Sequence, residues 1–196
     1  MIRLMIVDDH QPTRQDAVRE MSAGGIIQVI AEAETSDEAL KVAEKLLPDV
    51  ILLDLHLPGL ITPTDLIKRL SMLRRVKVVV YASQSKASEV QDLLDAGAVS
   101  YVLKSDPPAL IRMAILMVSR GSRGIVSPSL PRHLTRLTPQ ERSILRQLTK
   151  RGRLPQIAER MGTSEETLRQ TLEHLSAKLE LPGPSQLVKW AKKHGF

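Results

Sequence analysis

Four residues pose the chemical question: the adjacent carboxylates Asp8 and Asp9, the carboxylate of Asp54 and the ammonium of Lys104. Each follows directly on a short apolar run. Residues 2–7 lead into Asp8-Asp9, 50–53 into Asp54 and 99–103 into Lys104, while 76–81 leads into Ala82-Ser83. If these runs are parallel strands of one sheet, their carboxyl ends open on a single edge, where open α/β sheets bind ligands. Three carboxylates and a lysine then share that edge. Like charges so close repel unless a cation intervenes. A hard cation with oxygen ligands meets the need, and Mg²⁺ binds through one or two carboxylates while keeping waters and phosphate oxygens in its remaining positions. A carboxylate beside such a metal can attack a phosphoryl group, with the metal and a lysine neutralising the equatorial oxygens. Taken singly, an Asp-Asp pair after a strand is a turn or a cap, and a lone lysine is a solvated side chain. Specificity lies in the set.

Such a set needs a scaffold. The runs at 2–7, 26–33, 50–53, 76–81 and 99–103 are short, β-branched and nearly continuous, as in parallel strands buried on both faces. Helix-length stretches lie between them at 13–23, 37–46, 63–73, 85–95 and 107–119. Thr62-Pro63-Thr64-Asp65 offers a cap, a proline at the first helical position and an acid three residues after the cap; Asp106-Pro107 repeats the cap-plus-proline device. Strands alternating with helices predict a doubly wound, five-stranded parallel α/β sheet over residues 1–120. Residues 121–136 (GSRGIVSPSLPRHLTR) break both periods and read as a linker. Residues 137–196 carry no strand pattern. Thr138-Pro139-Gln140-Glu141 is a capping box opening a helix with Ile144, Leu145 and Leu148 on one face. A short helix over 155–161 stops at Gly162, and Ser164 caps a third with Leu168, Leu172, Leu175 and Leu179 as its apolar stripe. Residues 184–193 form a fourth, giving a small all-α domain.

An apolar fraction of 42% supports a real core, and with one Trp, two Tyr and one Phe that core is aliphatic. The absence of cysteine excludes disulfides and thiolate chemistry and suits a reducing cytoplasm. No apolar run reaches the roughly 18 residues of a membrane span, and the first residues, MIRLMIVDDH, lack a signal-peptide cleavage site. A soluble cytoplasmic protein is expected. Charge divides unevenly. Residues 1–120 hold 14 Lys/Arg against 16 Asp/Glu, whereas 121–196 hold 14 against 6. So basic a C-terminal part points to a polyanion, most often nucleic acid.

Residues 1–120 resemble a response-regulator receiver domain of the CheY-like fold, through VDDH at 7–10, LLDLHLPG at 52–59, GAVSYVLKS at 97–105 and the spacing among them. The resemblance implies that Asp54 is the phosphoacceptor. It implies that Asp9, Asp54 and the backbone carbonyl of His56 hold Mg²⁺ with Asp8 in support, that Lys104 contacts the phosphoryl group, and that Tyr101 rotates when the domain switches. One member departs: 22 residues before the lysine the family places Ser or Thr, and here stands Ala82, followed by Ser83. Either Ser83 substitutes after a one-residue shift of the strand end, or phosphorylation couples weakly to conformation. The stretch 60–65, with Pro63, is about one residue longer than the family pattern and predicts a reshaped loop.

Residues 134–194 resemble the LuxR-type helix-turn-helix of NarL/FixJ response regulators, through LTPQERSILRQL and IAERMGTSEETLRQTLEHLSAKLEL. The helix at 165–179 would then enter the major groove. The leucine stripe faces the bundle, so Glu166, Arg169, Gln170, Glu173 and His174 face outward. The resemblance puts Thr167, Arg169, Gln170, Thr171, His174 and Lys178 on double-stranded DNA; Lys150, Arg151 and Arg153, just before the short second helix and in place of the family's polar stretch, can neutralise phosphates. Three glutamates at 165, 166 and 173 outnumber Arg169 and Lys178 along that helix, which predicts an unusual site preference. Trp190 either closes the bundle or serves a dimer contact on DNA. The whole implies a two-component transcription regulator that is no enzyme, with a cognate histidine kinase as partner and a homodimer as its active form. Two alternatives stay open: DNA binding with phosphorylation-independent control, motivated by Ala82, and a receiver-based interaction module with non-specific DNA affinity. A flavin-binding flavodoxin-like reading fails because no phosphate-cradling Gly/Ser/Thr loop follows the first run.

Overall fold

The computed structural model describes residues 1–83, 87–130, 137–150 and 153–196, with the backbone alone at 87 and 88. The chain forms two compact units, the first ending at Leu130. Its strands are β1 (Ile2–Val7), β2 (Ile27–Ala33), β3 (Val50–Leu53), β4 (Lys77–Ala82), β5 (Ser100–Leu103) and β6 (Ile125–Val126). Its helices are α1 (Gln11–Ser22), α2 (Ser36–Leu46), α3 (Pro63–Met72), α4 (Ala87–Asp95) and α5 (Pro108–Ser119). The sheet order is β2-β1-β3-β4-β5-β6 with every pair parallel.

The near-continuous apolar runs follow from burial on both faces. Met5, Val7, Ile51, Leu53, Val78 and Val80 pack on one face with Ala39 and Ala43 of α2, Leu66 and Leu70 of α3, and Val90 and Leu93 of α4. Leu4, Ile6, Val50, Leu52 and Val79 pack on the other with Ala17 and Met21 of α1 and Ile111 and Ile115 of α5. Alternate side chains of a strand point to opposite faces, so covering both faces demands an unbroken apolar sequence.

Two expectations change. The sheet has six strands rather than five. Gly121 and Gly124 adopt positive φ of 99° and 71°, which costs glycine little, and the chain then runs back so that Ser100 pairs with Ile125 and Tyr101 with Val126. A two-residue strand is too short to show a period, hence its concealment in the linker-like stretch. Leu130 is buried in the core on the α2–α4 side. The second change concerns Asp106. Helix α5 starts at Pro108 with no side-chain cap. The buried Asp106 carboxylate instead accepts the Leu103 N–H at 2.9 Å and the Ser127 hydroxyl at 2.7 Å. Thr62, by contrast, caps α3 as expected, accepting from the Asp65 N–H.

The second unit holds α6 (Pro139–Thr149), α7 (Leu154–Arg160), α8 (Glu165–Lys178), a 3₁₀ turn (Pro184–Gln186) and α9 (Leu187–Lys193). The Thr138–Glu141 capping box and the Ser164 cap are both present. Leu168, Leu172, Leu175 and Leu179 join Ile144, Leu145 and Ile157 in one core, and Trp190 packs partly buried against it, stacked on His194. Trp190 thus closes the bundle. Ser85, Arg151 and the 131–136 part of the linker lie outside the described residues. Among the described residues no helix is long and apolar enough to cross a membrane.

Ser127→Ala removes the hydroxyl that Asp106 accepts inside the receiver. Losing a buried bond to a charged group costs about 1–3 kcal/mol, so the receiver transition in urea should move to lower denaturant. Amide exchange at Ile125–Ser127 should quicken in step. A solvated linker would show neither change.

Candidate functional site

Three residues with chemistry stand one position beyond a strand, and each remains tied to the ladder. The Asp8 N–H donates to Ala33 C=O at 3.1 Å, Asp54 N–H to Val7 C=O at 2.9 Å, and Lys104 N–H to Ala82 C=O at 2.8 Å. The sheet itself therefore places their side chains at one edge. Carboxylate oxygens of Asp8, Asp9 and Asp54 lie within 4.8 Å of one another. Asp8 and Asp54 are buried and Asp9 is exposed. The Lys104 ammonium bridges the buried pair, 2.6 Å from Asp8 Oδ2 and 3.2 Å from Asp54 Oδ2. The remaining oxygens are also engaged: Asp8 Oδ1 accepts the His10 N–H at 2.9 Å, and Asp54 Oδ1 accepts the Leu55 N–H at 2.7 Å.

Burial pulls Lys104 toward neutrality, but the hydrogen bond from its ammonium to Asp8 and the charge of Asp54 outweigh it, and its pKa rises above the ordinary value. Lys104 is therefore a fixed cation at neutral pH. Its ammonium also sits 5.5 Å above the Tyr81 ring, whose phenol burial pushes further from ionisation. The donor set is all oxygen, two carboxylates buried and one open to solvent, and it suits a hard divalent cation.

The loop after Asp54 is laced to α2. Ser36 N–H donates to Pro58 C=O at 2.9 Å and Leu60 N–H to Asp37 Oδ2 at 2.9 Å. Gly59 has φ of 132°, and a Cβ there would lie 2.1 Å from Ser36 Oγ, so only glycine fits. The His56 side chain is exposed. At β4 the register runs unbroken through Tyr81↔Val102 and Ala82↔Leu103, and the strand end shows no one-residue shift. Ala82 packs in the core on the α2–α4 side, together with the fully buried Tyr101. Ser83 is exposed and lines a groove with Asp16, Tyr81, Lys104 and Ile111.

Arg14 carries no motif that singles it out in the sequence. It is 6% exposed and donates to Asp8 C=O at 2.7 Å, Glu32 Oε2 at 2.9 Å and Glu34 Oε1 at 2.5 Å. A signal does exist: with Ala17 and Met21 it occupies the core-facing stripe of α1.

On α8, Glu166, Thr167, Arg169, Gln170, Glu173 and His174 are exposed. Arg169 is held by Glu165 at 2.5 Å, and the Thr171 hydroxyl donates to the Thr167 carbonyl at 2.8 Å. Arg153 and Lys150 are exposed beside α7. Lys178 differs from expectation. Its ammonium lies 2.8 Å from both carboxylate oxygens of Glu141, pinning α8 to α6, so it serves the bundle rather than the outward face. Burial would raise the Glu141 pKa, but Lys178 and the Thr138 N–H bind its carboxylate strongly enough to lower it.

Residues 4–115 match the response regulator receiver domain family, and residues 135–191 match the luxR family of bacterial regulatory proteins. The chain belongs to the two-component response regulators of the LuxR type, with a receiver and a DNA-binding domain. It is 27% identical to the nitrate/nitrite response regulator NarL of Escherichia coli over 95% of this chain and 93% of that one. It is 29% identical to the transcriptional regulatory protein LiaR of Bacillus subtilis over 99% and 98%. Among solved structures, the receiver of a response regulator NarL from Mycobacterium tuberculosis superposes with a TM-score of 0.58 at 28% identity, covering 61% of this chain and 97% of that one.

Because the Glu141 pKa is depressed, its contribution to stability is present above the ordinary glutamate value of about 4.3 and is lost as pH falls through the depressed value. Lys178→Met should therefore destabilise the helical unit by about 1–3 kcal/mol at pH 7. As pH falls from the ordinary glutamate range through the depressed value, the difference from the unaltered chain should shrink and close. Urea titrations of both chains at pH 7 and across that acidic range check this.

Proposed function

We propose that Asp54 is the phosphoacceptor of this regulator, and that phosphoryl transfer from a cognate histidine kinase alters how the C-terminal domain binds double-stranded DNA. The observation that carries the proposal is the Lys104 ammonium seated between Asp8 and Asp54 at the carboxyl edge of the sheet. In the transfer, an Asp54 carboxylate oxygen forms a bond to phosphorus as the P–N bond of the donor phosphohistidine breaks, and the freed imidazole takes a proton. Leu55 N–H steadies the other Asp54 oxygen. Lys104, 3.2 Å from Asp54 Oδ2, would move from that oxygen to the phosphoryl oxygens. Asp8, Asp9, Asp54 and the His56 carbonyl would hold Mg²⁺, which when bound neutralises the phosphoryl oxygens. The chain works as a switch on its own carboxylate, in the cytoplasm, rather than as an enzyme on a separate substrate. On α8, Thr167, Arg169, Gln170, Thr171 and His174 would face bases, and Arg153 with Lys150 would hold phosphates, in a homodimer on DNA.

A second reading has its own observation. Ala82 offers no hydroxyl, and Ser83 stands on the groove side with Tyr81 instead. Without a hydroxyl at Ala82 to follow the phosphoryl group, DNA binding persists and its control lies outside Asp54.

Affinity for the chain's own upstream DNA, measured with and without Mg²⁺ plus beryllofluoride, separates the two. Tightening by about fivefold, the low end of ordinary coupling, and its loss in Asp54→Ala, is the expected result. Specific binding that ignores both additions supports the second reading. Salt-steep binding without sequence preference defeats both.

A further inference from the structure

We propose that Arg14 is a positioning residue for the acidic pocket, holding the Asp8–Asp9 peptide so that the Asp9 carboxylate is presented to a divalent cation. The proposal rests on the reading of Asp8, Asp9 and Asp54 as the cation site of the phosphoacceptor. A guanidinium is costly to bury, and Arg14 occupies a place on α1 where an apolar side chain would pack without that cost. Three donors of the fork are used: Nη1 on the Asp8 carbonyl, Nε on Glu32 and Nη2 on Glu34. The first of these is not a charge pair. It fastens the peptide that joins Asp8 to Asp9.

Asp9 needs such help. Its neighbour Asp8 is fixed through its N–H by Ala33, through Oδ1 by the His10 N–H and through Oδ2 by Lys104. Among the described residues the Asp9 carboxylate has no hydrogen bond or ion pair and is exposed, so the backbone leading into it sets its position. Arg14 clamps that backbone to the end of β2, where Glu32 and Glu34 stand. The same two glutamates neutralise its charge, so the clamp adds no net positive field against a cation bound a few ångströms away.

Charge and geometry predict opposite signs, which makes the role testable. Arg14→Met deletes a cation and leaves Glu32 and Glu34 unmatched; by charge alone Mg²⁺ should bind more tightly. If Arg14 positions Asp9, Mg²⁺ should bind about 10-fold more weakly, as when a group orienting a metal ligand is lost. Arg14→Lys keeps the charge but loses the planar fork, and should weaken Mg²⁺ by several-fold where charge alone predicts no change. The measurement is calorimetric titration of the full chain with MgCl₂, alongside thermal unfolding without metal and amide exchange of residues 8–10, which should quicken in both variants. Mg²⁺ affinity unchanged or improved in folded Arg14→Met or Arg14→Lys overturns the positioning role while leaving the pocket intact. Failure of both variants to fold makes Arg14 a stability residue and overturns it too. Asp9→Asn supplies the separate control: if the unaltered chain binds no Mg²⁺, or binds it indifferently to Asp9, the cation-site reading itself falls and this proposal with it.

Discussion

The receiver turns on one electrostatic constraint: two buried carboxylates, Asp8 and Asp54, need a cation, and Lys104 supplies it from the far side of the sheet. Uncompensated, each buried charge would cost several kcal/mol. Strands β3 and β4 lie between the strand that carries Asp8 and the strand that carries Lys104, and strands are spaced about 4.8 Å apart. The lysine meets both carboxylates at the carboxyl edge of the sheet, and its ion pairs stand without any phosphoryl group.

The pocket is also joined to the segment by which the chain leaves the receiver. Lys104, Asp106 and Tyr101 belong to one short stretch of β5 and its exit. Tyr101 pairs with Val126, the Ser127 N–H donates to the Tyr101 carbonyl at 2.8 Å, and the Ser127 hydroxyl lies on Asp106. Leu130 then buries in the core that holds Tyr101 and Ala82. Through β5, then, the edge of the sheet that carries Lys104 is connected to residues 125–130, the chain's exit from the receiver.

What the sequence made legible were features whose cause is local. The strands announce themselves because both faces are covered, and the caps at Thr62, Thr138 and Ser164 need only residues three positions on. Asp8, Asp9, Asp54 and Lys104 are legible because each follows an apolar run. The features that escaped depend on partners far along the chain. Asp106 reads as a cap until Ser127 arrives 21 residues later to claim it. Lys178 reads as a groove-facing cation until Glu141, 37 residues before it, takes its charge. Arg14 looks like an ordinary helix-surface arginine unless its stripe is traced, since its acceptors lie on the preceding loop and at the end of β2.

The fate of Lys178 changes how the helical domain must divide its labour on DNA. With that ammonium committed to Glu141 and Arg169 paired with Glu165, the outward face of α8 is net acidic and carries Glu166, Glu173, Gln170 and His174. Under the proposed docking such a face would discriminate between base edges but draw little affinity from the phosphate charge that dominates most DNA binding. The excess charge of the domain sits elsewhere, on exposed Lys150, Arg153, Arg160, Lys189, Lys192 and Lys193. Phosphate contacts fix register and orientation, whereas base contacts select sequence. Under the proposed docking, then, this regulator assigns the two tasks to different elements: the flanks of the bundle hold the backbone, and α8 reads. An acidic reading helix is no contradiction in that arrangement, because glutamates facing bases reject mismatched acceptors while the surrounding lysines and arginines keep the duplex in place.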